Sequence, residues 1–388
     1  MKKLFCLLLL PLFVNAQNQK LGIVLDAESK EPIEFVDVYN TSDNTITNEN
    51  GKYFLLSLND SIAYYKLGYE PLKTTFAAVP DTILLNQKTF ELSEVILTNK
   101  DRLFTQVRKA VPENYPSEEF KEQFFIRSLL RYNGNITRIQ DIQGKLKRRT
   151  LLYHSNMDIE KKDFVFEVQN MRKVGLKDVT ENETDIYFRL RSLKQILLET
   201  VQISIVQKDF EIEEKYFDQQ KKVRVEFTYN EDNKKLNTSG YYIINLEDKA
   251  ILEYYQLTHL DIDFKQKKDI QYRVTRYEKN IVFDKDSKTG KYVLKNGKIK
   301  SLVEVKNNEE TFQTFFESED ILKSYGHFAN FKVRKNVNEN KDVFKLNYPY
   351  NAKFWVSQNQ LLLTDEMQHF IRKVGSESSE FKVKSNLN

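Results

Sequence analysis

The sequence predicts a mainly β protein: a small N-terminal β-sandwich, a short helical connector, and a larger antiparallel sheet domain with one or two helices. Three observations lead there. Phe and Tyr number 27 and 21 against 11 Gly and 7 Pro in 388 residues, a composition that favours strands. Stretches of alternating apolar and polar residues recur along the chain. Asn-Gly pairs and loops rich in Asn, Asp and Lys separate them.

Residues 1–16 carry a different pattern. Lys2 and Lys3 precede an apolar run over 4–13, and Val14-Asn15-Ala16 offers a small-residue cleavage site before Gln17, as in a secretory signal peptide. The run falls short of the roughly twenty apolar residues of a spanning helix. Cys6 lies inside it, not just after the cleavage site, which argues against lipidation. It is the single cysteine, so the mature chain is expected to hold no disulfide, thiolate metal site or cysteine nucleophile. The expected address is the periplasm or outer-membrane periphery, or outside the cell, with no transmembrane segment after signal cleavage. The 60 basic and 56 acidic residues give a net charge of +4 and are interleaved, which argues against nucleic acid as partner.

Residues 17–98 read as the sandwich. Alternation marks strands over 21–25 and 33–39, with a polar turn over 26–32. Asn50-Gly51 is expected to join strands 45–47 and 53–56 as a hairpin, because both residues tolerate positive φ. Short strands follow over 61–67, 74–77 and 82–85, and 91–97 is expected to close the module. The order Gly22-x-Val24-x-Asp26, Pro32-Ile33-x-x-Val36-x-Val38, Asn50-Gly51-x-Tyr53 and Gly68-Tyr69 resembles the carboxypeptidase regulatory-like domain, a transthyretin-like sandwich of Bacteroidota envelope proteins. That resemblance implies an accessory or adhesive module without hydrolytic activity.

The connector spans 99–117. Leu103, Phe104, Val107 and Ala110 recur at helical spacing, and Pro112 is expected to stop the helix. That helix, the Asn114-Tyr115-Pro116 exit and Phe124-x-x-Arg127 resemble the segment after the sandwich in two-module Bacteroidota proteins. The C-terminal domain, 118–388, reads as strands interrupted by a helix over 187–200, where Leu190, Leu193, Ile196 and Leu197 share a face. Strands over 223–227, 240–245 and 250–254 form a meander, with hairpins expected at 284–290 and at Asn296-Gly297. The meander resembles the curved antiparallel β-sheet of LolA-like lipoprotein carriers. The run from Tyr348 to Trp355, with Leu363-Thr364, resembles the end of the same two-module proteins.

Catalytic motifs are absent from the sequence. His154, His259, His327 and His369 stand in no zinc-binding spacing, and no Gly-x-Ser-x-Gly elbow or phosphate loop occurs. His259, Asp261 and Asp263 alternate with Leu260, Ile262 and Phe264, so a metal or acid/base site competes with a simpler expectation, the solvated side of a strand. The 284–290 segment looks like a calcium loop, yet Lys288 and Lys295 stand where oxygen ligands are needed. No cofactor is expected. Phe227, Ile243, Ile251 and Trp355 are the candidates for an apolar ligand face. Lys145, Lys147, Arg148 and Arg149 form a candidate basic contact patch for acidic lipid headgroups, against the alternative of a charged edge strand. The expectation is a non-enzymatic envelope binding or scaffold protein whose partners are other envelope proteins or lipids. A hydrolase using distant carboxylates and a purely structural adhesion module are the alternatives.

Overall fold

The computed structural model describes residues 17–88, 100–153, 163–176, 187–203, 210–217, 219, 221–230, 235–309, 313–358, 361–376 and 383–387. It is mainly β, with two compact units. One comprises residues up to Lys88 together with Lys353–Asp365, and the other runs from Thr89 to Ala352 and resumes at Glu366. The expected partition left 353–365 in the C-terminal domain. They belong instead with the N-terminal unit, where Leu361 bridges Ile46 and Asp365 pairs with Lys52 at 2.8 Å.

The first unit has seven strands: β1 (Asn18–Asp26), β2 (Asp37–Tyr39), β3 (Asn44–Ile46), β4 (Lys52–Ser57), β5 (Ser61–Tyr65), β6 (Leu72–Thr75) and β7 (Thr82–Leu85). They form a three-stranded sheet, β4-β1-β7, and a four-stranded sheet, β3-β2-β5-β6. Val24, Tyr53, Leu55, Ile83 and Leu85 of one sheet meet Val38, Ile62 and Tyr64 of the other in one core. The Asn50-Gly51 turn forms, with Gly51 at φ 69°, but it does not make the expected hairpin. It carries the chain across the sandwich, since β3 pairs with β2 and β4 with β1. Positive φ specifies a turn; it does not specify which strand the chain pairs with next. The strand expected over 91–97 lies outside the described residues.

Two of the sequence motifs of this unit meet at Asp26 and Tyr69. Asp26 Oδ1 accepts the backbone N–H groups of Glu28 and Ser29, and its Oδ2 accepts Tyr69 Oη at 2.9 Å and Gln87 Nε2 at 2.6 Å. These hydrogen bonds, Gln87 first, hold the carboxyl well below the usual carboxylate range. A depressed folded-state pKa contributes stability that is present above the unfolded value of about 3.9 and is lost as pH falls. Asp26→Ala is expected to lower the melting temperature of this unit and to weaken its acid sensitivity. Fluorescence of Trp355, the single tryptophan, reads this directly, because Trp355 belongs to the same unit.

The second unit opens with α1 (Lys100–Asn114) and continues through β8 (Phe120–Tyr132), β9 (Asn135–Arg148), β10 (Phe164–Leu176), α2 (Leu193–Val201), β11 (Glu211–Phe217), β12 (Lys222–Asn230), β13 (Leu236–Asn245), β14 (Ala250–Leu260), β15 (Lys265–Lys267), β16 (Ile270–Lys285), β17 (Tyr292–Asn307), β18 (Gln313–Tyr325) and β19 (Val383–Ser385). These strands make one 12-stranded sheet in the order β11-β12-β13-β14-β16-β17-β18-β8-β9-β10-β19, with β15 paired to β16. One face carries the apolar core. There α1 lies on β14 and α2 on β16, β17 and β18.

Four sequence expectations change here. Helix α1 is part of this unit's core, not a free connector: Phe104 and Val107 are buried, and Phe104 meets Tyr242 edge to face at 5.2 Å. Pro112 lies inside α1 and does not stop it, because near the C-terminus it forfeits a single backbone bond. Helix α2 starts at Leu193, not near 187, since Ser192 and Gln195 form a reciprocal capping box. Asn296-Gly297 is no hairpin. Gly297 sits within β17, where a Cβ would come 2.7 Å from the Thr200 side chain, so its small size serves the close approach of α2.

Where β19 does not pair with it, the outer edge of β10 is met by side chains. The Asn336 amide donates to Val168 O at 2.7 Å and accepts from Val168 N at 2.8 Å. Asn386 likewise donates to Met171 O and accepts from Lys173 N. Each amide satisfies backbone groups that would otherwise template pairing with another chain.

Candidate functional site

The residues expected to line an apolar ligand face do not meet on an open one. Phe227 and Ile251 are buried in the core of the large sheet. The Phe227 ring lies over Gly240, where a Cβ would be 2.5 Å from its Cζ, and is flanked by Phe210 at 5.6 Å and Tyr242 at 5.3 Å. The backbone of Ile251 is clamped by Tyr115, whose hydroxyl donates to Ile251 O at 2.9 Å and accepts from Ile251 N at 2.8 Å. Ile243 pairs with Arg224 and Glu253, which by strand alternation puts it on the face opposite Phe227. Trp355 lies in a short helix, Ala352–Ser357, and belongs to the first unit. Helical and strand neighbours looked alike in that apolar stretch.

The basic run also divides. Arg148 is fully buried on the core face and pairs with Glu122 at 2.9 Å, while Arg149 pairs with Asp163 at 3.2 Å. Lys145 and Lys147 point to the solvent face. The alternative of a charged edge strand fails too, because β9 is flanked by β8 and β10. His259, Asp261 and Asp263 are exposed, with Asp261 on Arg273 and Asp263 on Lys235. Among the described residues no His, Cys, Asp and Glu group is placed to hold a metal ion. His154 lies outside the described residues.

Three buried polar clusters carry no sequence motif: the first two join residues far apart along the chain, and the third depends on the register of β8, β9 and β10. In the first, Ser324 Oγ donates to Glu122 Oε2 at 2.6 Å and His327 Nε2 lies 3.0 Å from both Ser324 Oγ and the Leu294 carbonyl. A carbonyl only accepts, so Nε2 carries the hydrogen and cannot take a proton from serine, as a general base must. Burial holds His327 below its ordinary pKa. The cluster therefore knots three strands together; it lacks the arrangement of a nucleophile.

In the second cluster Arg191 is the hub. Its Nε donates to Glu199 Oε2 at 3.0 Å and its Nη1 to Ser318 Oγ and Asp320 Oδ2, each at 3.1 Å, while Nη2 binds Ser301 Oγ. Asp320 also accepts Ser128 Oγ at 2.5 Å. Burial raises its carboxyl to about 6. Both acids are thus spent on one guanidinium. Nearby, Lys279 donates to Gln202 O at 2.9 Å, and burial pushes it down to about 8. Its folded form binds a proton less tightly than the unfolded chain, so stability should rise between about pH 8 and pH 10, by at most about 1.4 kcal/mol per unit. Urea unfolding across that window should show the rise, and Lys279→Met should flatten it. The third cluster joins Arg127, Asp141 and Arg172 on the opposite face of β8–β10.

A shallow pocket of about 370 Å³ lies where Met171 and Lys173 meet Tyr348, Pro349 and Asn386. The ammonium of Lys173 is already engaged by Phe344 O at 3.2 Å, Asn347 Oδ1 at 3.0 Å and Leu346 O.

The sequence matches no family model and no curated protein. Among solved structures, one on lipid-protein interactions in lipovitellin is similar over 64% of this chain and 29% of that one, at 8% identity and a TM-score of 0.24. The chain thus spans under a third of lipovitellin's length. Pseudomonas aeruginosa OpdK with vanillate is similar over 55% of this chain and 71% of its own, at 8% identity and a TM-score of 0.18. Scores this low assign neither fold nor function.

Proposed function

We propose that the chain is an exported, non-enzymatic protein of the cell envelope that works as a scaffold, engaging partners on its surfaces without holding a ligand inside the large sheet. One observation carries this reading: the face of the sheet that a carrier would keep open is occupied by α1, α2 and the aromatic side chains around Phe227. The spent acids and the serine–histidine geometry described above support a non-enzymatic role. The N-terminal sandwich, with its Asp26–Tyr69–Gln87 knot, suits a transthyretin-like accessory module, and the signal-like residues 1–16 support export. Titration of the chain from Gln17 onward with a fluorescent fatty acid tests the reading. No saturable site is expected. Saturable one-to-one binding, competed by unlabelled fatty acid, would return the sheet to the role of a lipid carrier.

A further inference from the structure

We propose that the solvent face of β8 and β9 near Lys121 and Lys147, with the adjoining segment 331–334, is a contact surface for an anionic phospholipid membrane. Alternation is clean in this part of the sheet: Phe120, Glu122, Phe124, Leu146 and Arg148 are buried, while Lys121, Gln123, Lys145 and Lys147 face solvent. Lys121 stands directly opposite Lys147 in the β8–β9 ladder, and Lys145 follows on the same face. A like-charge pair across two strands costs stability, and here it protects no sheet edge, since both strands are internal.

The segment after β18 adds to the patch. Phe331 lies under the Lys145 ammonium at 5.1 Å, and the backbone N–H of Arg334 donates to Glu167 Oε2 at 2.6 Å. This brings the exposed Lys332 and Arg334 to its rim. Five cations there face two carboxylates, Glu119 on Lys147 at 2.9 Å and Glu167 near Lys145 at 4.0 Å. Among the described residues no carboxylate pairs with the side chain of Lys121, Lys332 or Arg334. The cations lie side by side on a ladder and do not converge on one point. A single phosphate needs convergence, whereas a sheet of headgroups is matched by an array.

The surface deepens the scaffold reading by naming a partner, yet its test is independent of that reading, because vesicle binding needs no other envelope component. The chain from Gln17 onward is sedimented with vesicles of phosphatidylglycerol and phosphatidylcholine, and with phosphatidylcholine alone. Binding is expected to the anionic vesicles only, to fall as salt rises, and to drop about tenfold or more in Lys121→Glu/Lys147→Glu. Lys265→Glu/Lys267→Glu makes the same change in net charge at the exposed β15 hairpin, toward the Tyr132 end of the sheet, and should bind as the parent does. Equal losses in both variants, equal binding to neutral vesicles, or displacement by inorganic phosphate at matched ionic strength would overturn the proposal. If circular dichroism shows the reversal unfolded, Lys121→Gln/Lys147→Gln takes its place, with a smaller loss expected and an unchanged affinity overturning the proposal.

Discussion

Asp141→Ala is expected to destabilise the second unit by about 3 to 5 kcal/mol. Asp141 is fully buried and holds two arginines: Arg127 Nε at 2.8 Å and Nη2 at 2.9 Å, and Arg172 Nη2 at 2.6 Å. Arg127 is itself buried. Burial alone would raise the Asp141 carboxyl, but the charges and hydrogen bonds of the two arginines outweigh it and hold the group below its ordinary value. Removing the carboxylate leaves a buried guanidinium without that bidentate partner, which costs more than the pair itself contributes. Since the folded-state pKa is depressed, the contribution is present above about pH 4 and is lost on acidification. Urea unfolding followed by far-UV circular dichroism measures the loss. A change below about 1 kcal/mol would mean that the two arginines reach other acceptors or water at little cost.

The second large effect is expected at Phe227. If its ring is core, as its contacts with Phe210, Tyr242 and Tyr254 indicate, Phe227→Ala costs about 3 to 5 kcal/mol. A ring on an open ligand face would cost far less to remove, and its loss would appear in ligand affinity. The same unfolding experiment separates the two cases. Gly240 underlies the prediction: its hydrogen leaves the space in which the Phe227 ring lies, a device that fixes register between β12 and β13.

Local signals in the sequence are legible where a residue's own chemistry decides the outcome. Period-2 alternation located most strands of the first unit and β12, β13 and β14 of the second, and the turn at Gly51 and the 286–291 turn between β16 and β17 both occur; of the strand expected over 33–39 only Asp37–Tyr39 forms, since Phe35 stands at φ 57°. Pairing partners were not legible, because they depend on distant residues: β3 and β4 flank a turn yet enter different sheets. The return of 353–365 to the first unit was hidden for the same reason. Gly297 read as a turn since nothing local reveals that Thr200 packs against it. The Arg191 and Glu122 clusters join residues far apart along the chain, and the Arg127 cluster depends on the register of β8, β9 and β10, so no motif announces them. Lys145 and Lys147 were visible as a basic run, but only the β8–β9 register reveals Lys121 beside them and sends Arg148 to the core.

The most direct test of the scaffold account is native mass spectrometry, with lipid extraction, of the chain from Gln17 onward purified from a bacterial envelope under mild conditions. A mass equal to that of the polypeptide is expected, with no stoichiometric acyl lipid. A one-to-one lipid adduct that survives purification and is recovered in the extract would contradict it, and would mean that the core around Phe227 opens to hold a ligand.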